Sequence, residues 1–325
     1  MSPTVGVVVL AWKDEPYLAE CVAAVRASAG VDVRLVVVDN GSPDVPADVS
    51  DITVLRPGRN TGFAGGCNLG AAALDTEYLA LVNSDCVIAP DTLEQLVAEA
   101  SRPDVGPVMA SIRLPDGTLN SAGNPVHLIG LSWAGGMGTP ETRTAPYDVT
   151  GASGACLLLA SAVWKQLGGF DEEYFAYLED SELSLRAWRL GLAARCVPTA
   201  VARHHYEFSR NAHKMHLLER NRLMLLATVW PRRALLLLSP VLAACELGLL
   251  ALGAVSGWRK VAGYAWLWRH RAHLRDRRRL IQGESADRTW MARLSPTLDR
   301  SACGPVTPFL NAVFRVYWSV VRRLL

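Results

Sequence analysis

TVGVVVLAWKDEPYLAECVAAVRASAGVDVRLVVVDNGS, residues 4–42, contains a complete strand–helix–strand unit. Val5 to Ala11 is an unbroken apolar run, and Val33 to Val38 is a second one rich in β-branched residues. Runs without polar alternation belong to strands buried on both faces, as in parallel sheets covered by helices. Between them Asp14 and Pro16 offer a helix cap and first turn, and Leu18, Val22 and Val25 give an inward face to a helix ending near Ser28.

The pattern continues outward. Ile52 to Leu55 and Tyr78 to Val82 read as further strands, with a short helix from Asn68 to Leu74 between them. Strands alternating with helices predict an α/β domain with a mainly parallel, Rossmann-like sheet and right-handed crossovers. Ligands bind such sheets beyond the carboxyl ends of the strands. Three polar clusters fall there: Asp39-Asn40-Gly41-Ser42, Arg59 to Gly66, and Asn83-Ser84-Asp85. Pro115 to Thr150 dissolves into Gly, Pro, Ser and Thr, which predicts loops able to cover an acceptor site. Order returns at Gly151 to Cys156, in a helix from about Ser161, in a turn at Gly168-Gly169-Phe170-Asp171, and in a helix beginning near Glu179.

Charge divides the chain. Up to Arg203 there are 13 basic and 24 acidic residues, and beyond it 20 and 7, so the two parts carry about −11 and +13 although the whole is only +2. A catalytic body followed by a segment that meets an anionic surface fits this asymmetry. Ala234 to Val255 carries one charge, Glu246, and is long enough to cross a hydrocarbon core of ~30 Å. Arg232 and Arg233 precede it and Arg259, Lys260 and Arg269 follow, so both flanks ask for the cytoplasmic side. A re-entrant hairpin bent near Pro240, or helices lying in the interface, satisfies both. The tail from Pro308 to Leu325 mixes Phe309, Val313, Val316 and Val320 with Arg315, Arg322 and Arg323, the pattern of an interfacial basic helix; a buried helical subdomain or an oligomer contact is the alternative. Nucleic acid is disfavoured as a partner because the arginines flank apolar stretches rather than a polar fold. Seven cysteines without a CxxC pair suggest a reducing compartment, and the first residues lack the basic n-region of a secretion signal.

Asp39 could accept from a pyrimidine N–H or a ribose hydroxyl, with Gly41 letting a ligand approach the backbone; an ordinary turn explains the same residues. The Arg59 to Gly66 segment is suited to presenting backbone N–H groups to phosphate, but it lacks the lysine of a triphosphate-binding loop. Asp85 at a strand end could hold Mg2+ or Mn2+. Glu179, Asp180 and Glu182 at a helix start are either dipole partners or a general base with its neighbours. His204 and His205 lie one strand further on, where a structural role is equally open.

In this order the clusters resemble the family 2 glycosyltransferases of GT-A fold, in particular bacterial rhamnosyltransferase-like members. The resemblance covers roughly residues 4 to 230, through VVDNGS (37–42), NTGFAGGCN (60–68), LVNSD (81–85), GGFD (168–171) and YLEDSELSLR (177–186). It implies an inverting, metal-dependent transfer of rhamnose or another sugar from a dTDP- or UDP-sugar to a glycan or polyprenyl-linked acceptor at the cytoplasmic face of a membrane. Asp180 would be the catalytic base, and Asp85, the last position of an Asp-x-Asp motif, would bind the metal with His204, preferred to His205 on spacing. Asp39, Asn40, Gly41, Arg59, Asn60, Gly62, Phe63, Asn68, Asn83 and Ser84 would line the donor site, and Glu179 and Gly154 the acceptor side. Asn83 departs from the motif's first acidic position, and Glu182 stands where Asp is commoner. Residues 1–208 would form the catalytic domain and 209–325 a helical, membrane-associating region. A nucleotidyltransferase would want a basic Gly-rich loop near the N-terminus, where Gly6 to Asp14 offers only Lys13. A non-catalytic membrane-associated scaffold would have no need of intact Asp85, Asp180 and His204. The oligomeric state is left open, and an oligomer is compatible.

Overall fold

The first two strands form where the apolar runs predict them, as β1 (Thr4–Ala11) and β2 (Asp32–Asp39), paired in parallel. The computed structural model describes residues 2–45, 52–206, 213–252, 257–284, 289–299 and 304–325. Helix α1 (Leu18–Arg26) starts later than Asp14 and Pro16 suggest, with Tyr17 before it and no side-chain cap. Its inward residues are Leu18, Cys21 and Val25, so Cys21 rather than Val22 takes the middle position of the stripe. β3 (Thr53–Leu55) extends the sheet beyond β2.

Helix α2 (Gly62–Ala72) starts earlier than the helix expected from Asn68 to Leu74 and takes in the glycines of the Arg59–Gly66 cluster. Close packing explains the glycines. A Cβ on Gly66 would lie 2.1 Å from Leu10 Cδ1, and one on Gly70 2.4 Å from Val8 Cγ1, so only a helix face without side chains can lie this near β1.

β4 (Tyr78–Asn83) pairs in parallel with the other side of β1. There follow β5 (Cys86–Ile88), α3 (Thr92–Ala100), β6 (Val105–Arg113), β7 (Leu119–Ser121), β8 (Tyr147–Asp148), β9 (Cys156–Ala160), α4 (Ser161–Leu167), α5 (Glu179–Arg189) and β10 (Ala193–His204). The sheet order is β3-β2-β1-β4-β9-β6-β10-β5, with β7 on β6 and β8 on β10. The sheet is mostly parallel, as expected, and mixed in detail: β9 runs antiparallel to both β4 and β6, and β5 antiparallel to β10. Register lines up the chemistry. Ala11 pairs with Asp39, Leu10 with Asn83, and Val82 with Cys156, so the segments after β2 and β4 and the one before β9 emerge at one edge.

The chain divides into two compact units, one of Met1–Asn124 with Ala134–Arg210, the other of Pro125–Trp133 with Asn211–Leu325. The expected boundary at 208/209 lies outside the described residues, and the excursion at Pro125–Trp133 has no counterpart in the sequence reading. The second unit contains α6 (Lys214–Val229), α7 (Arg232–Leu252), α8 (Gly257–Arg269), α9 (Arg271–Glu284) and α10 (Thr307–Leu324). The excursion joins it through Leu128 and Ile129, whose carbonyls accept from Trp230 Nε1 (3.2 Å) and Arg222 (3.1 Å).

Helix α7 runs through Pro240 without a break, so the hairpin expected there is not formed. The proline removes one backbone hydrogen bond from the helix and does not end it. No helix among the described residues is long and apolar enough to cross a membrane; residues 253–255 of the apolar stretch lie outside them. The lone charge of that stretch is not bare. Glu246 accepts from Arg222, from Lys260 (2.7 Å) and from Tyr264, and Arg222 and Lys260 also hold Glu219. Among the described residues the cysteines are free thiols.

Candidate active site

Asp85 lies in the short link between β4 and β5. Its Oδ1 is 3.1 Å from Nε2 of His204, the last residue of β10, which pairs across from Cys86. The other ring nitrogen, Nδ1, is 2.8 Å from Oδ1 of Asn120 on β7. His205 turns elsewhere: its ring stacks on Tyr17 with centroids 3.6 Å apart, while its backbone N–H donates to the Asp85 carbonyl at 2.9 Å. His204, not His205, therefore stands beside the carboxylate.

This trio fits a divalent cation. A neutral imidazole carries one N–H, yet both nitrogens of His204 face acceptor oxygens, so a proton or a cation belongs between Nε2 and Asp85. Cys86 Sγ falls in the same cluster, but burial, and after it the Asp85 charge, pushes its thiol well above the usual range and keeps it protonated. What is left is an oxygen and an imidazole nitrogen, a donor set open to Mn2+ or Mg2+ rather than to a thiolate-loving metal.

Asp180 is held at the start of α5, beneath the residues that precede β9. Its Oδ2 accepts from Gly154 N–H at 2.9 Å and from Asn124 Nδ2 at 3.2 Å, and its Oδ1 from Ser181 N–H at 2.6 Å. Gly154 is next to Ala155, whose carbonyl accepts from Asn83 N–H at 2.9 Å, which ties the Asp180 pocket to the end of β4. Burial raises the Asp180 carboxyl above its ordinary value, against the pull of the Gly154 and Ser181 donors. Burial, with the Asp180 charge second, pushes the neighbouring Glu179 carboxyl well above its ordinary range. Glu182 is occupied by structure: it pairs with Arg186 at 2.8 Å, both buried, and Arg186 also donates to the carbonyls of Leu167 and Gly169. That pair pins the Gly-Gly-Phe-Asp turn to α5. Phe175, Tyr177 and Leu178, just before α5, have positive φ, the sparsely populated conformation that bends the chain sharply into this corner.

At the end of β2, Asp39 Oδ1 accepts from the N–H groups of Gly41 (3.1 Å) and Ser42 (3.0 Å), and Oδ2 binds Arg56, an exposed arginine that the sequence reading passed over. Gly41 has φ +99 and open space where a Cβ would stand, as close approach by a ligand requires. Ser84 is buried beside the metal cluster's Asp85, and Arg59 is exposed.

The glycine-rich segment behaves differently from a phosphate cradle. Thr61 N–H donates to Asn40 Oδ1 at 2.7 Å, Gly62 N–H to Asn60 Oδ1 at 2.8 Å, and Ala64 N–H to the Phe175 carbonyl at 3.1 Å. The N–H groups of Thr61, Gly62 and Ala64 at the start of α2 are thus satisfied within the protein. Asn40 also donates to Asn60 and to the Gly62 carbonyl, and Asn68 donates to and accepts from the backbone of Phe170. Phe63 packs against Phe170 with centroids 6.0 Å apart. These side chains fasten α2 to the end of β2 and to the turn before α5, so their bearing on a donor is through position. Asn120 and Asn124, which touch His204 and Asp180, were missed; they lie in or beside the irregular segment after β6, where no periodicity marks them.

A mixed α/β sheet with an aspartate–histidine pair at one edge and a half-buried aspartate beside it invites comparison with known proteins, and residues 6–168 match the glycosyl transferase family 2 profile. The chain belongs to that family. Over 236 residues the family 2 chain is 28% identical to the N-acetylglucosaminyl-diphospho-decaprenol L-rhamnosyltransferase of Mycobacterium tuberculosis, covering 63% of this chain and 77% of the other. Its fold is similar to that of GalNAc-T7 solved with UDP, GalNAc and Mn2+ (TM-score 0.57, 18% identity, 71% of this chain and 48% of that one). It is also similar to the mannosyltransferase PcManGT from Pyrobaculum calidifontis solved with GDP-Man and Mn2+ (TM-score 0.52, 16% identity, 98% and 87%). This family 2 member is a glycosyltransferase of GT-A fold that takes its sugar from a nucleotide-sugar.

Proposed function

We propose that the chain catalyses a single inverting displacement at the anomeric carbon of a dTDP- or UDP-sugar, rhamnose being the sugar favoured by the mycobacterial relative. Asp180 takes the proton from an acceptor hydroxyl as that oxygen bonds to the sugar carbon. The bond from carbon to the diphosphate oxygen breaks, and a nucleoside diphosphate leaves. Asp85 and His204 would hold Mg2+ or Mn2+, which would supply positive charge for the departing diphosphate. Asp39, oriented by Gly41, Ser42 and Arg56, accepts from the base or ribose, with Asn83 and Ser84 beside it; Gly154 fixes Asp180, with Glu179 next to it.

The observation that carries this reading is the register, which brings Asp39, Asp85, His204 and the Asp180 pocket to one edge of one sheet. A polyprenyl-diphosphate-linked glycan at the cytoplasmic face of a membrane is the acceptor class we favour. Its support is the relative's decaprenol-linked substrate name and the basic, apolar character of residues 209–325, the region we assign to membrane association. The test is transfer by Asp180→Asn and Asp85→Ala with Mn2+ present. Loss of at least about 10²-fold is expected for Asp180→Asn, the usual contribution of a positioned base. Near wild-type turnover by Asp180→Asn would sink the assignment.

A further inference from the structure

The second unit shows an uneven surface. Of the fifteen large hydrophobic side chains exposed among the described residues, thirteen belong to it, and five of those share one helix, α10: Phe309, Val313, Val316, Val320 and Leu324. Their spacing of four, three, four and four residues confines them to an arc of about 80° at 100° per residue, running ~22 Å along the axis. Phe309 is 71% exposed and Val316 68%.

The helix is already anchored by its other side. Phe314, Trp318 and Val321 are buried, and Phe314 meets the His127 ring edge-on at 4.6 Å. Asn311 exchanges hydrogen bonds with the Leu298 backbone at 2.7 and 3.1 Å, and the Tyr317 hydroxyl donates to the Leu237 carbonyl. The outer stripe is therefore surplus to the packing of the unit. It is preformed, so docking through it requires no folding step.

Charge selects the occupant. Thr307–Leu324 holds no Asp or Glu, while Arg323 is exposed at the edge of the stripe and Arg315 and Arg322 are exposed on the same side of the helix, about 100–120° beyond that edge. Two copies joined through this face would set Arg323 beside the seam and leave Arg315 and Arg322 outside it, with no acid on either helix to answer any of them. An anionic bilayer supplies both what the stripe needs and what the arginines need: an apolar depth of a few ångströms and phosphate groups at the level of the guanidinium groups.

We propose that the Phe309–Leu324 stripe of α10, with its three arginines, is a docking surface for an anionic lipid bilayer, on which the helix lies flat. This rests on the membrane placement given above and names the surface that makes it. The test is co-sedimentation of the full chain with phosphatidylglycerol–phosphatidylcholine vesicles and with phosphatidylcholine vesicles. The wild type is expected to sediment with the anionic vesicles and to be released by high salt. Val316→Asp with Val320→Asp, at exposed positions, is expected to lower partitioning at least tenfold, and Arg315→Gln with Arg322→Gln and Arg323→Gln to abolish the preference for anionic vesicles. Met137→Asp, an exposed apolar position in the other unit, is expected to change neither. Circular dichroism confirms that each variant is folded, and light scattering without vesicles reports the oligomeric state.

Equal sedimentation of wild type and the Val316→Asp/Val320→Asp variant overturns the proposal, as does a wild type that ignores anionic vesicles. So does a wild-type dimer that the double variant dissociates, which would make a second copy the occupant. Nucleotide release from the donor, measured without vesicles, is expected to be the same in the stripe variants and the wild type, so a failure of the docking surface and a failure of the catalytic reading give different results.

Discussion

Replacing Asn120 by leucine tests how the His204–Asp85 pair is prepared for a cation. With a cation bound, Asn120 Oδ1, 2.8 Å from Nδ1, would keep the single imidazole proton on Nδ1 and leave the Nε2 lone pair to the cation shared with Asp85, whose Oδ1 is 3.1 Å from Nε2. Leucine has nearly the shape of asparagine but no acceptor. The proton then gains by moving to Nε2, where Asp85 accepts it, and an incoming cation has to displace it. Removing such an orienting partner typically lowers metal affinity 10- to 100-fold, or about 1.4–2.7 kcal/mol. Stability should move the other way or not at all, because the Asn120 amide NH2 is buried without a partner and leucine removes that burden. Asn120→Asp keeps an oxygen on Nδ1 and is expected to retain binding. The assay is Mn2+ titration of the full chain by calorimetry, with the 15N shifts of the His204 ring recorded in the presence of Mg2+. Expected are an Nδ1–H tautomer in the wild type, an Nε2–H tautomer in Asn120→Leu, and a fall in Mn2+ affinity without a fall in Tm. Binding by Asn120→Leu within about twofold of wild type would refute the reasoning, since an orienting partner should be worth tenfold or more. An Nε2–H tautomer in the wild type would do the same.

Two further outcomes follow from the ionisable groups. Burial holds the Asp180 carboxyl above its ordinary 3.8, so its basic form is present only above that raised value, and the acid limb of kcat/KM should fall away at a pH higher than an exposed aspartate would give; a pH–rate profile with its limb at or below 3.8 contradicts this. Burial pushes Glu246 up, but Arg222, Lys260 and Tyr264 outweigh it and bring the carboxyl from 4.5 to about 2. A depressed carboxylate contributes stability that is complete above its unfolded value and is lost as pH falls from 4.5 toward 2. Glu246→Gln is therefore expected to lower stability at pH 7 by about 2–3 kcal/mol, discounted for the partial exposure of the cluster, with the difference from wild type closing toward pH 2. Urea unfolding across that range measures it, and a constant difference at every pH would show that the charge is not responsible.

The sequence makes β1, β2 and β4 legible because each is an apolar run too short and too continuous for anything but a buried strand. The same property hides direction. Cys156–Ala160 is equally apolar, and only its pairing with β4 and β6 shows that it runs the other way. Glycine misleads for a related reason: Gly66 and Gly70 lower helix propensity, yet the nearness of β1 makes them the residues this helix can use, while Gly62 takes a positive φ against the Phe175 carbonyl. In the site, Asp39, Asp85, Asp180 and His204 stand out as polar breaks directly after or before regular elements. Asn120 and Asn124 do not, because nothing local distinguishes them from other loop asparagines until β7 pairs with β6.

Glu246 shows where local reading ends. One carboxylate in 22 otherwise uncharged residues looks the same whether the helix lies in lipid, folds back as a hairpin, or packs in a protein. The answer lies in Arg222, 24 positions earlier, and Lys260, 14 later, on α6 and α8. Arg222 is 1% exposed, so its charge needs acids at fixed positions, and Glu219 alone would have to serve both it and Lys260. Glu246 is therefore the second acid of a four-charge cluster that joins three helices, and the apolar stretch around it belongs to a helix packed through that cluster. The membrane-facing role we propose then falls to side chains that the packing leaves outside, which on α10 are the five of the outer stripe.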